Sequence, residues 1–267
     1  KNDSNKIIIA GGMENMSSTP YILPGARWGE RLGHGQLEDM MLLDGLWDCF
    51  YDCHMGVTAE NLAEEYSISR EEQDQFAARS HEHWAQAQKA GAFKEEIVPI
   101  TIPQKGREEV FAVDEHPRPG TTAEKLAQLK PAFKKDGTVT AGNAAGINDG
   151  AAAVLLMSEE AAKARSLEPL AYVRAVASVG VDPRIMGIGP APAIRKLLHK
   201  SDFGLEDVDL IEVNEAFAAQ SIAVGKDLAW DQEKVNVQGG AIAMGHAVGA
   251  SGARVATTLL HQMQHKQ

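Results

Sequence analysis

Histidine, asparagine and clustered glycine near the carboxyl end of this chain are the residue types best suited to chemistry. The densest run is Gln238-Gly-Gly-Ala-Ile-Ala-Met-Gly-His-Ala-Val-Gly-Ala-Ser-Gly-Ala-Arg254. Glycine at that density is conformationally costly, so the backbone there is tightly turned or closely approached. His246 falls between the last turn and a helix expected from Gly249 to Met263. A histidine fixed on such a turn suits a general base or the activator of a nucleophile, and a packed structural histidine fits the same text equally well. A phosphate loop fits worse, because neither G-x-x-x-x-G-K-[ST] nor a G-x-G start with a suitably spaced acid is present.

Two further strings point to the same end of the molecule. In Val213-Asn214-Glu215-Ala216-Phe217-Ala218 an expected strand gives way to a helix, which places Asn214 and Glu215 at the carboxyl edge of a sheet, where α/β proteins bind ligands. Asn214 serves as well as a plain helix cap. The small residues of Thr140-Ala-Gly-Asn-Ala-Ala-Gly-Ile-Asn-Asp-Gly-Ala-Ala leave room for a narrow ligand or for close packing. Cys49 and Cys53 flank no convincing set of metal ligands, and Cys53-His54 are adjacent and point apart; both cysteines read as structural, with no metal site.

Helices and strands must position these residues. Lys6–Ala10 reads as a buried strand turning at Gly11-Gly12, and Ala151–Met157 as another. Helices are expected over Thr58–Tyr66, over Ser69–Lys89 with the capping box Ser69-x-x-Glu72, and over Ser158–Arg165 opened by Ser158. Beyond them strands at Leu170–Val179, Val208–Val213 and Val235–Val237 alternate with helices at Pro190–His199, Glu215–Leu228 and the one after Gly249. That alternation argues for a layered α/β fold. Between Ser17 and about Lys135 the text turns polar and rich in loops, as an inserted subdomain would.

The chain has 267 residues, enough for one large or two ordinary domains. Its 26 Lys and Arg against 37 Asp and Glu give a formal charge of −11, which argues against nucleic acid and anionic membranes as partners. Two cysteines do not make a disulfide framework, and no apolar run approaches a membrane span. A reducing, cytoplasmic compartment follows as the expectation. Lys1 opens the chain without Met and leads almost at once into Ile7-Ile8-Ile9, as though inside a domain.

Read together, these strings resemble the thiolase family, in its acetyl-CoA acetyltransferase (acetoacetyl-CoA thiolase) branch. The matching text is Ala-Gly-Gly-Met-Glu-Asn-Met-Ser at 10–17, His-Met-Gly-Val-Thr-Ala-Glu-Asn at 54–61, Leu-Lys-Pro-Ala-Phe at 129–133 and Asp-Gly-Thr-Val-Thr-Ala-Gly-Asn at 136–143. Met-Gly-Ile-Gly-Pro at 186–190, Asn-Glu-Ala-Phe-Ala at 214–218 and the His246 block complete it, in the family's order.

The resemblance implies an incomplete αβαβα thiolase fold. Residues 1–16 would be a remnant of the N-terminal core half, 17–140 an inserted loop domain over coenzyme A, 141–166 the return to that half, and 167–267 a C-terminal half without its last strands. It implies acyl transfer through a cysteine acyl-enzyme, condensing two acetyl-CoA to acetoacetyl-CoA or running the reverse thiolysis, with no tightly bound cofactor. By the same resemblance His246 activates the nucleophilic cysteine and binds the thioester oxygen, and Asn214 holds an oxyanion-hole water. Leu46, His54, Met55, Arg118, Phe133, Ala145, Met186, Ala216 and Phe217 would line the coenzyme A and acyl pocket, and a homodimer or homotetramer is implied. Both family cysteines fall outside these 267 residues, the nucleophile upstream of Gly11-Gly12 and the second beyond Gln267. The chain is therefore expected to be cut at both ends and inactive alone; the alternative is a non-catalytic fragment or a split-chain subunit that borrows its nucleophile. Gln238, Ala247 and Ala145 replace the Asn, Pro and Ser usual in the family, each a change on the scale of one hydrogen bond.

Overall fold

Several helices begin where the sequence supplies a cap. The computed structural model describes residues 7–265; the polar lead Lys1–Lys6, with the first residue of the expected strand, and Lys266–Gln267 lie outside the described residues. Helix α1 (Met55–Glu65) starts three residues earlier than expected because His54 itself caps it, Nδ1 accepting from the Gly56 N–H at 2.9 Å. Helix α2 (Arg70–Ala90) opens on the expected capping box. The Glu72 N–H donates to Ser69 Oγ (3.1 Å) and the Ser69 N–H to Glu72 Oε2 (2.7 Å). It stops at Gly91, whose φ of 75° is left-handed. Ser158 likewise caps α4 (Glu159–Lys163), accepting from the Ala161 N–H. The remaining helices are α3 (Ala123–Leu126), α5 (Pro190–Ser201), α6 (Ala218–Leu228), α7 (Ala241–Met244) and α8 (Ser251–His265).

Strands pair only in twos among the described residues. β1 (Ile7–Glu14) and β8 (Gly150–Met157) run antiparallel from Ile7 opposite Met157 to Glu14 opposite Gly150. The three short hairpins are β2 (Tyr21–Ile22) with β3 (Glu38–Asp39), β4 (Trp47–Asp48) with β5 (Cys53–His54), and β6 (Ile100–Gln104) with β7 (Arg107–Phe111). β1 does not turn at Gly11-Gly12 but runs through them. Gly12 is required instead by a close approach, since a Cβ there would sit 2.0 Å from the carbonyl oxygen of Gly249. Nor are β1 and β8 buried: α8 packs on one face of the ladder, while Ile9 and Leu155 stand opposite each other on the other face, more than half exposed.

Three expected strands are not strands. Leu170–Val179 carries no ladder, and 208–213 and 235–237 share a single parallel bridge, Ile211 to Val235. A strand is defined by its neighbour, and Leu170, Tyr172, Val173 and Val176 find none among the described residues and remain exposed. The expected helix from Glu215 begins only at Ala218, because Ala144 bridges Phe217 and the Ala218 N–H donates to the Asn143 carbonyl (2.9 Å), holding 214–217 out of the helix.

The main core joins α1, α5 and α6 with the 3-10 turn Pro183–Ile188. Leu62, Val139, Ala191, Ala219, Ala223 and Val224 are wholly shielded there. A second cluster seats α2 against Leu126, Ala218 and Ile242, so the polar segment before residue 140 shares its packing with the carboxyl half.

Candidate active site

His246 owes its place to the glycines around it. Gly245 adopts φ 101°, and a Cβ on it would collide with the Asn148 side chain at 2.5 Å. Asn148 Oδ1 accepts from the His246 N–H (3.1 Å), and His246 bridges Ile147 in parallel fashion. On the other flank Gly240 lies against Glu215, a fully buried carboxylate that accepts from Ser80 Oγ (2.7 Å), Asn236 Nδ2 (2.9 Å) and the Ile242 N–H (3.2 Å). Glu215 is thus no ligand group at a sheet edge; it ties the glycine-rich loop to α2. Burial pushes its carboxyl up from the usual range.

Asn214 does not cap a helix. The residue before α6 is Phe217, which makes no side-chain cap, and the Asn214 amide reaches His246 instead, with Nδ2 3.3 Å from Nε2 and 3.5 Å from Nδ1. Its Oδ1 is buried without a hydrogen-bond partner among the described residues. The other histidine nitrogen, Nδ1, lies 2.6 Å from Ser251 Oγ at the head of α8. Burial first, and Arg254 second, lower the His246 pKa, so the ring is held neutral near pH 7. A neutral imidazole beside a carboxamide with a free oxygen is equipped to take a proton and to hold a polar group where charge develops.

An aromatic wall leads away from this pair. Phe217 meets Phe133 edge-on at 6.1 Å, and Phe133 stacks on His54 at 4.6 Å. The Ala145 N–H donates to the Ala216 carbonyl (3.0 Å), so the Ala145 segment lies alongside Phe217. The structure therefore unites His54, Phe133, Ala145, Ala216 and Phe217, and joins them through residues 214–217 to Asn214 and His246. Met55 opens α1 beside His54, and Leu46 ends a π-helical turn (Met41–Leu46) one residue before Trp47, which pairs with His54. Met186 projects, 45% exposed, from the 3-10 turn that packs on α1. Arg118 is exposed; His116, two residues before it, lies against Gly146, where an added Cβ would meet its ring at 2.2 Å. Ser251 and Asn148 escaped the sequence reading. The only trace of them was a hydroxyl five residues after His246 and an asparagine in the run of small residues.

The cysteines sit on the β4–β5 hairpin, Cys49 exposed and Cys53 half-buried. Burial, with Asp48 and Asp52 nearby, pushes the Cys53 thiol up, opposite to what a nucleophile needs. Among the described residues no three His, Cys, Asp or Glu side chains converge to hold a metal, and no helix is long and apolar enough to cross a membrane.

Asn214 and His246 thus meet on adjoining loops beside an aromatic and small-residue wall, in a layered α/β fold. The chain matches the family description "Thiolase, N-terminal domain" over residues 1–160 and "Thiolase, C-terminal domain" over residues 167–267. It belongs to the thiolase family, and its fold is the thiolase fold. It is 61% identical over 259 residues to the acetyl-CoA acetyltransferase of Pseudomonas aeruginosa, covering 97% of this chain and 66% of the relative. It is 57% identical over 261 residues to that of Allochromatium vinosum, with the same coverage. The crystal structure of the Bacillus anthracis acetyl-CoA acetyltransferase superposes with a TM-score of 0.94 at 55% identity, over 97% of this chain and 66% of that one. Human mitochondrial 3-ketoacyl-CoA thiolase in complex with CoA gives 0.93 at 47% identity, over 97% and 65%. The chain thus spans about two thirds of the length of the curated relatives it matches.

Proposed function

We propose that this chain carries the histidine and asparagine of a thiolase-type acyltransferase that condenses two acetyl-CoA to acetoacetyl-CoA or runs the reverse thiolysis. The observation that carries the reading is the pairing of Asn214 Nδ2 with His246 Nε2 at 3.3 Å at the inner end of the wall of Phe217, Phe133 and His54. In this reading neutral His246 takes the proton of a cysteine thiol, and the thiolate attacks the acyl carbonyl of the thioester. Asn214 holds a water beside the oxygen on which negative charge grows. As the carbonyl re-forms, the carbon–sulfur bond to coenzyme A breaks and the leaving thiolate takes the proton back from His246. Leu46, His54, Met55, Phe133, Ala145, Met186, Ala216 and Phe217 line the pantetheine and acyl path, and Arg118 stands at the adenine end.

The nucleophile in this reading is neither exposed Cys49 nor Cys53 with its raised thiol pKa. These 267 residues then act only together with a polypeptide that supplies an activated cysteine, in a cytoplasmic homodimer or homotetramer that needs no tightly bound cofactor. Acetoacetyl-CoA cleavage, followed with the chain alone and with the chain joined to a cysteine-bearing thiolase segment, tests this. Turnover is expected only in the second case, and His246→Ala should reduce it by roughly 10²–10⁴-fold, the range for a lost acid–base group. Turnover by the chain alone, or activity indifferent to His246→Ala, overturns the assignment. The unactivated state of Cys53 also favours a second reading, a non-catalytic thiolase-like subunit; coenzyme A binding with no turnover under either condition selects it.

A further inference from the structure

We infer that Ser251 is a positioning residue that fixes the tautomer of His246, placing the ring proton on Nδ1 and leaving the Nε2 lone pair to face the reaction; this rests on the proposed acyl-transfer role of His246.

The argument is a count of protons. Ser251 is 8% exposed, and its Oγ has two close polar neighbours: His246 Nδ1 at 2.6 Å and the carbonyl oxygen of Ala247 at 2.9 Å. A hydroxyl has one proton to donate, and a carbonyl can only accept. If Ser251 donates to Ala247, then Nδ1 must carry the hydrogen and donate to Oγ, and both contacts are hydrogen bonds. In the opposite tautomer the hydroxyl would turn to Nδ1, and its oxygen would face the Ala247 oxygen at 2.9 Å with no proton between them.

Asn214 Nδ2 lies 3.3 Å from Nε2 and 3.5 Å from Nδ1, nearly equidistant from the two nitrogens, so the choice of tautomer falls to Ser251. Only the Nδ1–H form turns both Ser251 contacts into hydrogen bonds. The frame is rigid: Ser251 stands at the head of α8, which packs on β1 and β8, and Asn148 Oδ1 holds the His246 backbone N–H. A general base must present a lone pair to the thiol it deprotonates, and Ser251 determines which nitrogen does so.

Nitrogen-15 NMR of the imidazole groups tests the assignment in the 267-residue chain itself, with no turnover required. At a pH where His246 is neutral, the wild-type ring should show a protonated Nδ1 and an unprotonated Nε2. Ser251→Ala should shift the tautomer ratio toward Nε2–H by roughly fivefold to tenfold, the worth of one hydrogen bond, and Ser251→Thr, which keeps the hydroxyl, should restore it. A wild-type ring protonated on Nε2 overturns the inference whatever the variants do, as does an unchanged ratio in Ser251→Ala. In the chain joined to its cysteine-bearing segment, Ser251→Ala should lower kcat by a similar factor with KM little changed. A tautomer shift without any loss of kcat would leave the Ser251–His246 geometry standing but remove its catalytic consequence, and with it the assignment of His246 as the base.

Discussion

Replacing Glu60 probes how the site is held in place. Glu60 lies on α1, 4% exposed, and its carboxylate accepts from the Thr138 N–H (2.9 and 3.0 Å to its two oxygens), from the Val139 N–H (2.8 Å) and from Thr138 Oγ1 (3.0 Å). Val139 is completely buried, and two residues on the chain enters the segment leading to Ala145. Glu60→Ala would leave two backbone donors without their acceptor, one of them on fully buried Val139. Each such donor costs about 1–3 kcal/mol, so the expected loss is about 2–6 kcal/mol, a large part of the roughly 5–15 kcal/mol that stabilises an ordinary domain. Glu60→Gln can keep an oxygen in the place of Oε1, which accepts from both N–H groups, and should cost clearly less than half as much. Urea unfolding of the chain measures both: the midpoint should fall in the order wild type, Gln, Ala, with the slope unchanged. A Glu60→Ala chain within about 1 kcal/mol of wild type would show that these donors find other partners. A Gln variant as unstable as Ala would show that charge, not the number of acceptors, is what matters.

Two further outcomes follow from packing and charge. Gly56→Ala should destabilise by about 1–3 kcal/mol despite the better helix former, because the new Cβ would meet the Phe133 ring at 2.2 Å and push it off His54; thermal unfolding checks this, and a raised Tm would contradict the stacking argument. Burial pushes the Glu212 carboxyl up to about 7 although Arg254 lies 3.7 Å away and Gln262 donates to it at 2.6 Å. Its folded pKa stands above its unfolded one, so the fold favours the protonated acid and loses stability as pH rises from about 4.5 to about 7, on the order of 3 kcal/mol. Denaturation at pH 5 and pH 8 should show that decline in wild type and a flatter profile in Glu212→Gln.

What could be read in the sequence was what is decided locally. The box at Ser69 and Glu72 closes within one turn, so α2 was found almost to the residue, and Ser158 announced α4 in the same way. Strands were misjudged because their definition is not local. Leu170–Val179 has the composition of a strand, yet no neighbour among the described residues completes it. Asn214 shows the same limit at the site. As text it was as good a helix cap as a functional amide, and only the bridge between Ala144 and Phe217, which delays α6 to Ala218, frees it to meet His246. The glycine-rich run was recognised as constrained, but the constraints come from Asn148 and Glu215, far away in sequence.

The site is carried by loops, and buried acceptors do for those loops what ladders do for strands. Residues 214–217 and 236–246 contain little regular structure, and their free N–H groups need partners if they are to be rigid. Glu215 receives Asn236, Ser80 and the Ile242 N–H, while Asn236 in turn binds Val213 through both its Oδ1 (2.9 Å) and its Nδ2 (2.8 Å). One buried side chain thus spans the strand-like segment before Asn214, the loop before His246 and helix α2. The spacing between Asn214 and His246 is set by this web, since neither residue belongs to an element long enough to fix its own position. Glu60 plays the same part for the segment carrying Ala145, which then reaches Phe217 through the Ala144 bridge. Buried carboxylates in the loops therefore govern how accurately Asn214 and His246 are set against each other.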